Sequence, residues 1–153
     1  MLVSKWNQDI TVNSDNTATD PAGRIAYSFI VPGGAMGPNG SLQWELMASN
    51  NNVVQDAQIF LRVGATRVAA IGTLANGAIR MLANAGSIEN TAVAVNRFYD
   101  NNSKGTATIT TPTALTINTA ADWQVDVIVA WGLAVTGGTV VVRKVRAWVE
   151  YGA

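Results

Sequence analysis

A chain of 153 residues is the length of one domain, and folding it buries roughly 68–70% of the surface its unfolded form exposes, enough for a core without staples. Cysteine and histidine are both absent, which excludes a disulfide framework and thiolate metal sites and removes the commonest general base and zinc ligand. Ten basic residues cancel ten acidic ones with no run of like charge, and no bilayer-length apolar run or basic-apolar leader follows Met1, so neither nucleic acid nor membrane is an expected partner and synthesis is expected in the cytoplasm.

Short alternating runs bounded by Gly, Asn, Asp and Pro recur along the chain, and helical periodicity does not. Leu2 to Trp6 and Asp9 to Val12 are the first candidate strands, within a segment 1–23 read as an N-terminal arm with the first strands. Residues 24–153 are read as the sandwich of what is overall a single domain. Arg24 to Ile30 leads into VPGGAMGPNG at 31–40, four glycines and two prolines in ten residues. This is no phosphate loop, because no Lys-Ser or Lys-Thr follows Gly40 and the next element alternates with period two. It reads as a corner: Gly33 and Gly34 permit backbone angles closed to other residues, Pro38 presets a turn, and Asn39-Gly40 tolerates positive φ.

In the strand Ser41 to Leu46, Leu42, Trp44 and Leu46 share one face, the core side. Gln58 to Val63 turns Ile59, Leu61 and Val63 inward, and Gly64-Ala65 links it tightly to Thr66 to Ile71 as a hairpin. Thr73 to Ala85 is the best place for a short helix, but Asn76-Gly77 in its middle argues for strand or loop, with Ala78 to Leu82 the candidate strand. Thr91 to Phe98, Thr106 to Thr110, Gln124 to Ala134 and Thr139 to Tyr151 complete about ten strands, the pattern of an all-β, two-sheet antiparallel sandwich of jelly-roll type. The last two strands, joined by Val135-Thr136-Gly137-Gly138, are expected to form a hairpin at the centre of one sheet. Val125, Val127, Val129, Trp131 and Leu133 make an apolar face, while Asp126, Ile128 and Ala130 look the other way and are expected to be covered.

Candidate chemical sites are few. Asp100 to Gly105 has the start of a calcium loop, but Lys104 takes the fifth position and Thr111 stands where the bidentate glutamate belongs. Asp15, Asn16, Asp20 and Asp56 read as turn formers. The acids are scattered singly, so no catalytic residue, metal or cofactor is assigned and the chain is expected not to be an enzyme; a carboxylate enzyme acting on polysaccharide is the lesser alternative.

Five tryptophans exceed what one small core takes. Trp44 and Trp131 fall on inward faces. Trp148 shares a face with Lys144, Arg146 and Glu150, opposite Val145, Ala147 and Val149, the composition of an interface anchor. The opposing reading turns Trp148 into the core and leaves the charges at the sheet rim. Trp6 is a second anchor candidate, so the expected protein interface is Trp6, Lys144, Arg146, Trp148 and Glu150. The charged fraction, 13%, is about half the usual ~25%. Either much of the surface is hidden against copies of the chain or a larger assembly, or Asn, Thr, Ser and Gln do the solvating.

The succession VPGGAMGPNGSLQWELMAS, an Asn-rich loop, DAQIFLRVGAT and a long hydrophobic C-terminal hairpin resembles the jelly-roll structural modules of tailed-bacteriophage virions. The resemblance implies a virion protein and an oligomer, commonly a trimer, found as capsid decoration or at the tips of fibres and tailspikes. A module starting almost at Met1, with no shaft or coiled coil before it, points to a decoration or cement protein. Such a protein would bind the major capsid protein on the outer surface of the assembled head and stabilise it. The alternative is the receptor-binding tip of a tail fibre or head fibre, recognising host-surface glycans through exposed aromatics and the Asn50 to Asn52 loop.

Overall fold

The computed structural model describes residues 1–15, 23–50, 57–74, 80–90, 96–102, 114–115, 117–131 and 136–153. Among them are eleven strands and no helix: β1 (Leu2–Trp6), β2 (Ile10–Asp15), β3 (Arg24–Val31), β4 (Ser41–Asn50), β5 (Ala57–Val63), β6 (Thr66–Leu74), β7 (Arg80–Glu89), β8 (Asn96–Asn102), β9 (Ala114–Leu115), β10 (Trp123–Trp131) and β11 (Thr136–Glu150). The expected strand Thr106 to Thr110 lies outside the described residues. The segment Thr73 to Ala85 holds the end of β6 and the start of β7, and no helix is found in its described part.

Two antiparallel sheets form a sandwich. One runs β1-β11-β4-β7-β8-β9 with β2 also on β11, and the other runs β3-β10-β5-β6. The pairings are nested: β2 with β11, β3 with β10, β4 with β7, β5 with β6. This is one long hairpin of strand pairs rolled up so that successive pairs fall alternately in the two sheets, which is the jelly roll. The roll corrects one expectation. β10 and β11 do not pair; β10 lies between β3 and β5, and β11 lies in the opposite sheet beside β4. A glycine pair lets the chain turn sharply but does not say whether the next strand returns beside the last or crosses to the other sheet.

The core lies where the inward faces meet: Leu42, Trp44, Leu46 and Ala48 of β4 and Val145, Ala147 and Val149 of β11 from one side, Val125, Val127, Val129 and Trp131 of β10 and Ile59 and Leu61 of β5 from the other. Burying one such side chain contributes about 1.5–3 kcal/mol, so these alternating faces carry the sandwich. The outward face of the four-stranded sheet is covered in part: Ile128 and Ala130 are fully buried with Phe60 in a second apolar cluster, while Ile25 and Ile30 on β3 stay about half exposed. Arg67 stacks over Phe60 with 4.4 Å from its guanidinium to the ring centre. Beside them Asp126, only 6% exposed, accepts hydrogen bonds from Ser28 Oγ and Gln124 Nε2, both at 2.7 Å, and pairs with Arg62 at 3.5 Å. A carboxylate this buried persists because its oxygens are satisfied from both neighbouring strands.

The glycine-rich corner between β3 and β4 is a lock. Gly34 N–H donates to the Thr119 carbonyl at 2.8 Å, Gly152 N–H to Met36 at 3.0 Å, and Asn39 N–H to Gly152 at 3.2 Å. Asn90 Nδ2 donates to the Gly37 carbonyl at 2.6 Å and to Thr119 Oγ1 at 2.9 Å. Met36, fully buried, plugs that end of the core. Gly40 is needed for a different reason than the expected backbone angle. Its φ is not positive, but a Cβ there would fall on the carbonyl oxygens of Met36 and Glu150 and 2.8 Å from the Gly152 nitrogen. Replacing Gly40 by Ala is expected to cost at least about 2 kcal/mol in a denaturant titration, because backbone on two sides must move. Gly64→Ala, at φ 56 but with nothing within 4 Å of its Cβ, is expected to cost only about 1 kcal/mol.

Candidate functional site

The outward face of the seven-stranded sheet gathers four of the five residues named from sequence. On β11 a bulge between Val142 and Lys144 resets the alternation, so that Val140 and Val142 face the core before it and Val145, Ala147 and Val149 after it. Lys144, Arg146, Trp148 and Glu150 therefore point away from the core. Trp6 does not join them. Its ring turns to the rim between the sheets, 5.4 Å from Tyr27, whose hydroxyl accepts a hydrogen bond from Ser4 Oγ at 3.1 Å.

The register sets out the face in rows across the strands. Leu2 of β1 lies opposite Trp148, which lies opposite Gln43 of β4. Lys5 lies opposite Arg146, which lies opposite Glu45. Glu150 lies opposite Ser41, which lies opposite Glu89 of β7. Leu2, Lys5, Gln43 and Glu45 thus join the site by pairing partners that a sequence does not state; only the outward phase of Gln43 and Glu45 was visible in the alternation of β4.

Arg146 stands over the Trp148 ring, 5.1 Å from guanidinium carbon to ring centre, a cation–π contact of about 0.5–1 kcal/mol at an exposed site. Lys144 Nζ donates to Glu45 Oε2 at 2.8 Å, and Arg146 approaches the same oxygen at 4.0 Å. That hydrogen bond from Lys144 holds the Glu45 carboxyl below its ordinary 4.5, against the opposing effect of burial and with help from the charges of Lys144 and Arg146. Lys5 and Glu150 have no ionic partner among the described residues. A groove lined by Leu2, Lys5, Asn7, Lys144 and Arg146 runs along this edge. Leu2 is 53% exposed and Met1 beside it 62%, so an apolar strip borders the charges.

The segments weighed as calcium or turn sites fall partly outside the described residues: Asn16, Asp20, Asp56 and Ser103 to Gly105 all do. Among the described residues no helix is long and apolar enough to cross a membrane.

No family model matches the chain, and no curated protein matches it. Solved structures do. An engineered GH43 glycoside hydrolase with endo-xylanase and exo-arabinofuranosidase activity aligns over 92% of this chain and 34% of its own, with a TM-score of 0.53 and 13% identity. The T13 IBDV viral particle aligns over 99% of this chain and 30% of its own, TM-score 0.46 and 12% identity. A carbohydrate esterase from the Shiga toxin-encoding bacteriophage phi24B aligns over 97% of this chain and 90% of its own, TM-score 0.40 and 13% identity. The chain spans about a third of the length of the first two. At such identities the likeness is one of fold.

It nevertheless corrects the expectation that the chain is not an enzyme. A fold of this kind occurs within a glycoside hydrolase. Missing histidine and unpaired acids in a sequence are therefore no ground for excluding catalysis, because carboxylates far apart in sequence are brought together by strand pairing.

The Glu45 pair generates a prediction with a definite sign. Glu45 is depressed in the folded chain, so its contribution is complete above the ordinary carboxylate value and is lost as pH falls through the lowered one. Glu45→Gln is expected to lower stability at neutral pH by less than about 1 kcal/mol, as both partners are a third exposed, and the gap to the parent chain is expected to close in acid. Denaturant titrations at neutral and acid pH measure both.

Proposed function

We propose that the chain is a structural protein of a bacteriophage virion, a decoration protein held on the outside of the assembled head against the major capsid protein. The observation that carries this reading is the Trp148 face: a tryptophan, an exposed leucine and the opposite charges of Lys5 and Glu150, which have no ionic partner among the described residues, on one sheet surface of a chain short of charge. Such a surface has the composition of a contact zone. The stretch that resembles phage virion modules supports the reading, since it forms the locked corner and β4, the strand that flanks this face.

The mechanism is mass action. A protein that binds the assembled shell and not its dispersed subunits stabilises the shell by RT ln(1 + [L]/Kd), about 2.7 kcal/mol per site at a hundredfold excess over Kd. The fibre-tip alternative needs an aromatic face open to a sugar, and Arg146 already covers one face of Trp148. Protein contact is favoured for that reason.

Heads assembled without the chain are expected to break open at a lower temperature than heads that carry it, and adding the purified chain back is expected to restore them. Trp148→Ala, outside the core and so still folded by near-ultraviolet circular dichroism, is expected to restore them poorly. Equal robustness of bare and decorated heads would end this reading, and a glycan-array signal lost on changing the Asn50 to Asn52 loop would replace it with the receptor-binding one.

A further inference from the structure

We infer that the groove between β1 and β11 takes an acidic segment of the capsid protein, with one of its carboxylates set between Lys5 and Arg146. This rests on the reading of the Trp148 face as the capsid contact, and it names the chemistry that the capsid protein brings to one end of that face.

The ladder places two cations where the stability of the chain alone would not put them. Lys5 and Arg146 are direct partners across β1 and β11, and both point away from the core. Side chains paired in this way have their Cβ atoms roughly 4.5–5.5 Å apart, and like charges there are destabilising. Counter-charge within the chain is short. Glu45, the partner of Arg146 on its other side, is held by Lys144 at 2.8 Å and reaches Arg146 only at 4.0 Å. Asp9, farther along the same edge, is engaged by Arg143 at 2.6 Å. Lys5, Lys144 and Arg146 thus share one carboxylate, and Lys5 has no ionic partner among the described residues. Stacking on Trp148 orients the Arg146 guanidinium without neutralising it, since the ring carries no net charge, and the side chain stays half exposed.

The groove has the lining that a carboxylate needs. Leu2, Lys5, Asn7, Lys144 and Arg146 surround a volume of about 360 Å³. A carboxylate that enters accepts charge-assisted hydrogen bonds from Lys5 and Arg146, and their mutual repulsion is replaced by two attractions. The exposed side chain of Leu2 offers an apolar surface to the residue next to that carboxylate. Glu150 stands four residues along β11 from Arg146, about 13 Å away, and repels an acid brought to that end, so the segment is accepted in one direction and refused in the other. A long polyanion, nucleic acid or acidic glycan, is a poorer occupant, because beyond Trp148 it would run onto Glu150 and Glu89.

The competing account of Lys5 is that it guards the sheet edge against strand addition, as charges on edge strands do. A glutamate would guard the edge equally well, and opposite Arg146 it would turn a repulsion into an attraction. Lys5→Glu therefore separates the two accounts. It is expected to raise the midpoint of denaturant unfolding and yet to weaken binding to heads assembled without the chain at least about tenfold. Lys5→Arg, which keeps the charge, is expected to bind as the parent does, and parent binding is expected to weaken as salt is added. A zero-length carbodiimide condenses an amine with a carboxylate to an amide and takes up the water as a urea. On decorated heads it is expected to couple Lys5 to an aspartate or glutamate of the capsid protein, read as a cross-linked peptide by mass spectrometry, and Lys5→Arg is expected to bind without giving that peptide. Heads that bind K5E as tightly as the parent, binding indifferent to salt, no coupling of Lys5 to a capsid carboxylate, or a loss of binding accompanied by a lower unfolding midpoint would each overturn the inference and leave decoration itself standing. Failure of the parent chain to bind heads at all would end the virion reading, and this inference with it.

Discussion

The ladder of β11 carries three partners at once: β2 along its first half and β1 along its second on one side, and β4 along nearly its whole length on the other. Fifteen residues in a single strand can do this only if the alternation stays in phase with a core that curves beneath it. The bulge between Val142 and Lys144 makes that adjustment. Without it, the inward set of the first half, Val140 and Val142, would continue through Lys144, Arg146 and Trp148, and three cations or aromatics would enter the core in place of Val145, Ala147 and Val149. The core and the outer face thus depend on one extra residue, Arg143, whose guanidinium is tied outside to Asp9 at 2.6 Å and to Ser49 Oγ at 3.2 Å.

The sequence was legible wherever one strand spoke for itself. Leu42, Trp44 and Leu46, then Ile59 and Leu61, then Val125, Val127, Val129 and Trp131 all lie in the core as their period of two requires. The hairpin at Gly64-Ala65 is in place, with Val63 opposite Thr66. What stayed hidden was relational. VVVRKV contains no alternation from which to locate a bulge, and a Gly-Gly pair does not distinguish a hairpin from a crossing between sheets. The partners of Trp148, Leu2 and Gln43, lie 146 and 105 positions away by number, and no local signal connects them. For the same reason, scattered acids did not warrant ruling out chemistry.

The glycines of the corner illustrate a similar division. Their number marked a tight feature correctly, but the reason at Gly40 is the approach of two other backbone segments, not the angle of its own. That approach couples the corner to the C-terminal residues that follow β11, through Met36, Asn39 and Gly152. The end of β11 where Glu150 lies is therefore held against a rigid turn. A charge placed there keeps a fixed position relative to Trp148, as a contact that depends on register requires.

A low charge content acquires a spatial meaning once the pairs are located. Asp126 and Arg62 meet on the covered side of the four-stranded sheet, Arg143 is engaged by Asp9, and Lys144 by Glu45. Each of these pairs cancels within the chain and contributes little to a field outside it. What is left over on the seven-stranded face is ordered, positive at the Lys5–Arg146 end and negative at the Glu150 end, with the uncharged row of Leu2, Trp148 and Gln43 between. A surface that only needed solubility would gain from charges of either sign placed anywhere. One that keeps few and separates them by sign along a single strand direction is instead specified by the orientation of whatever lies against it.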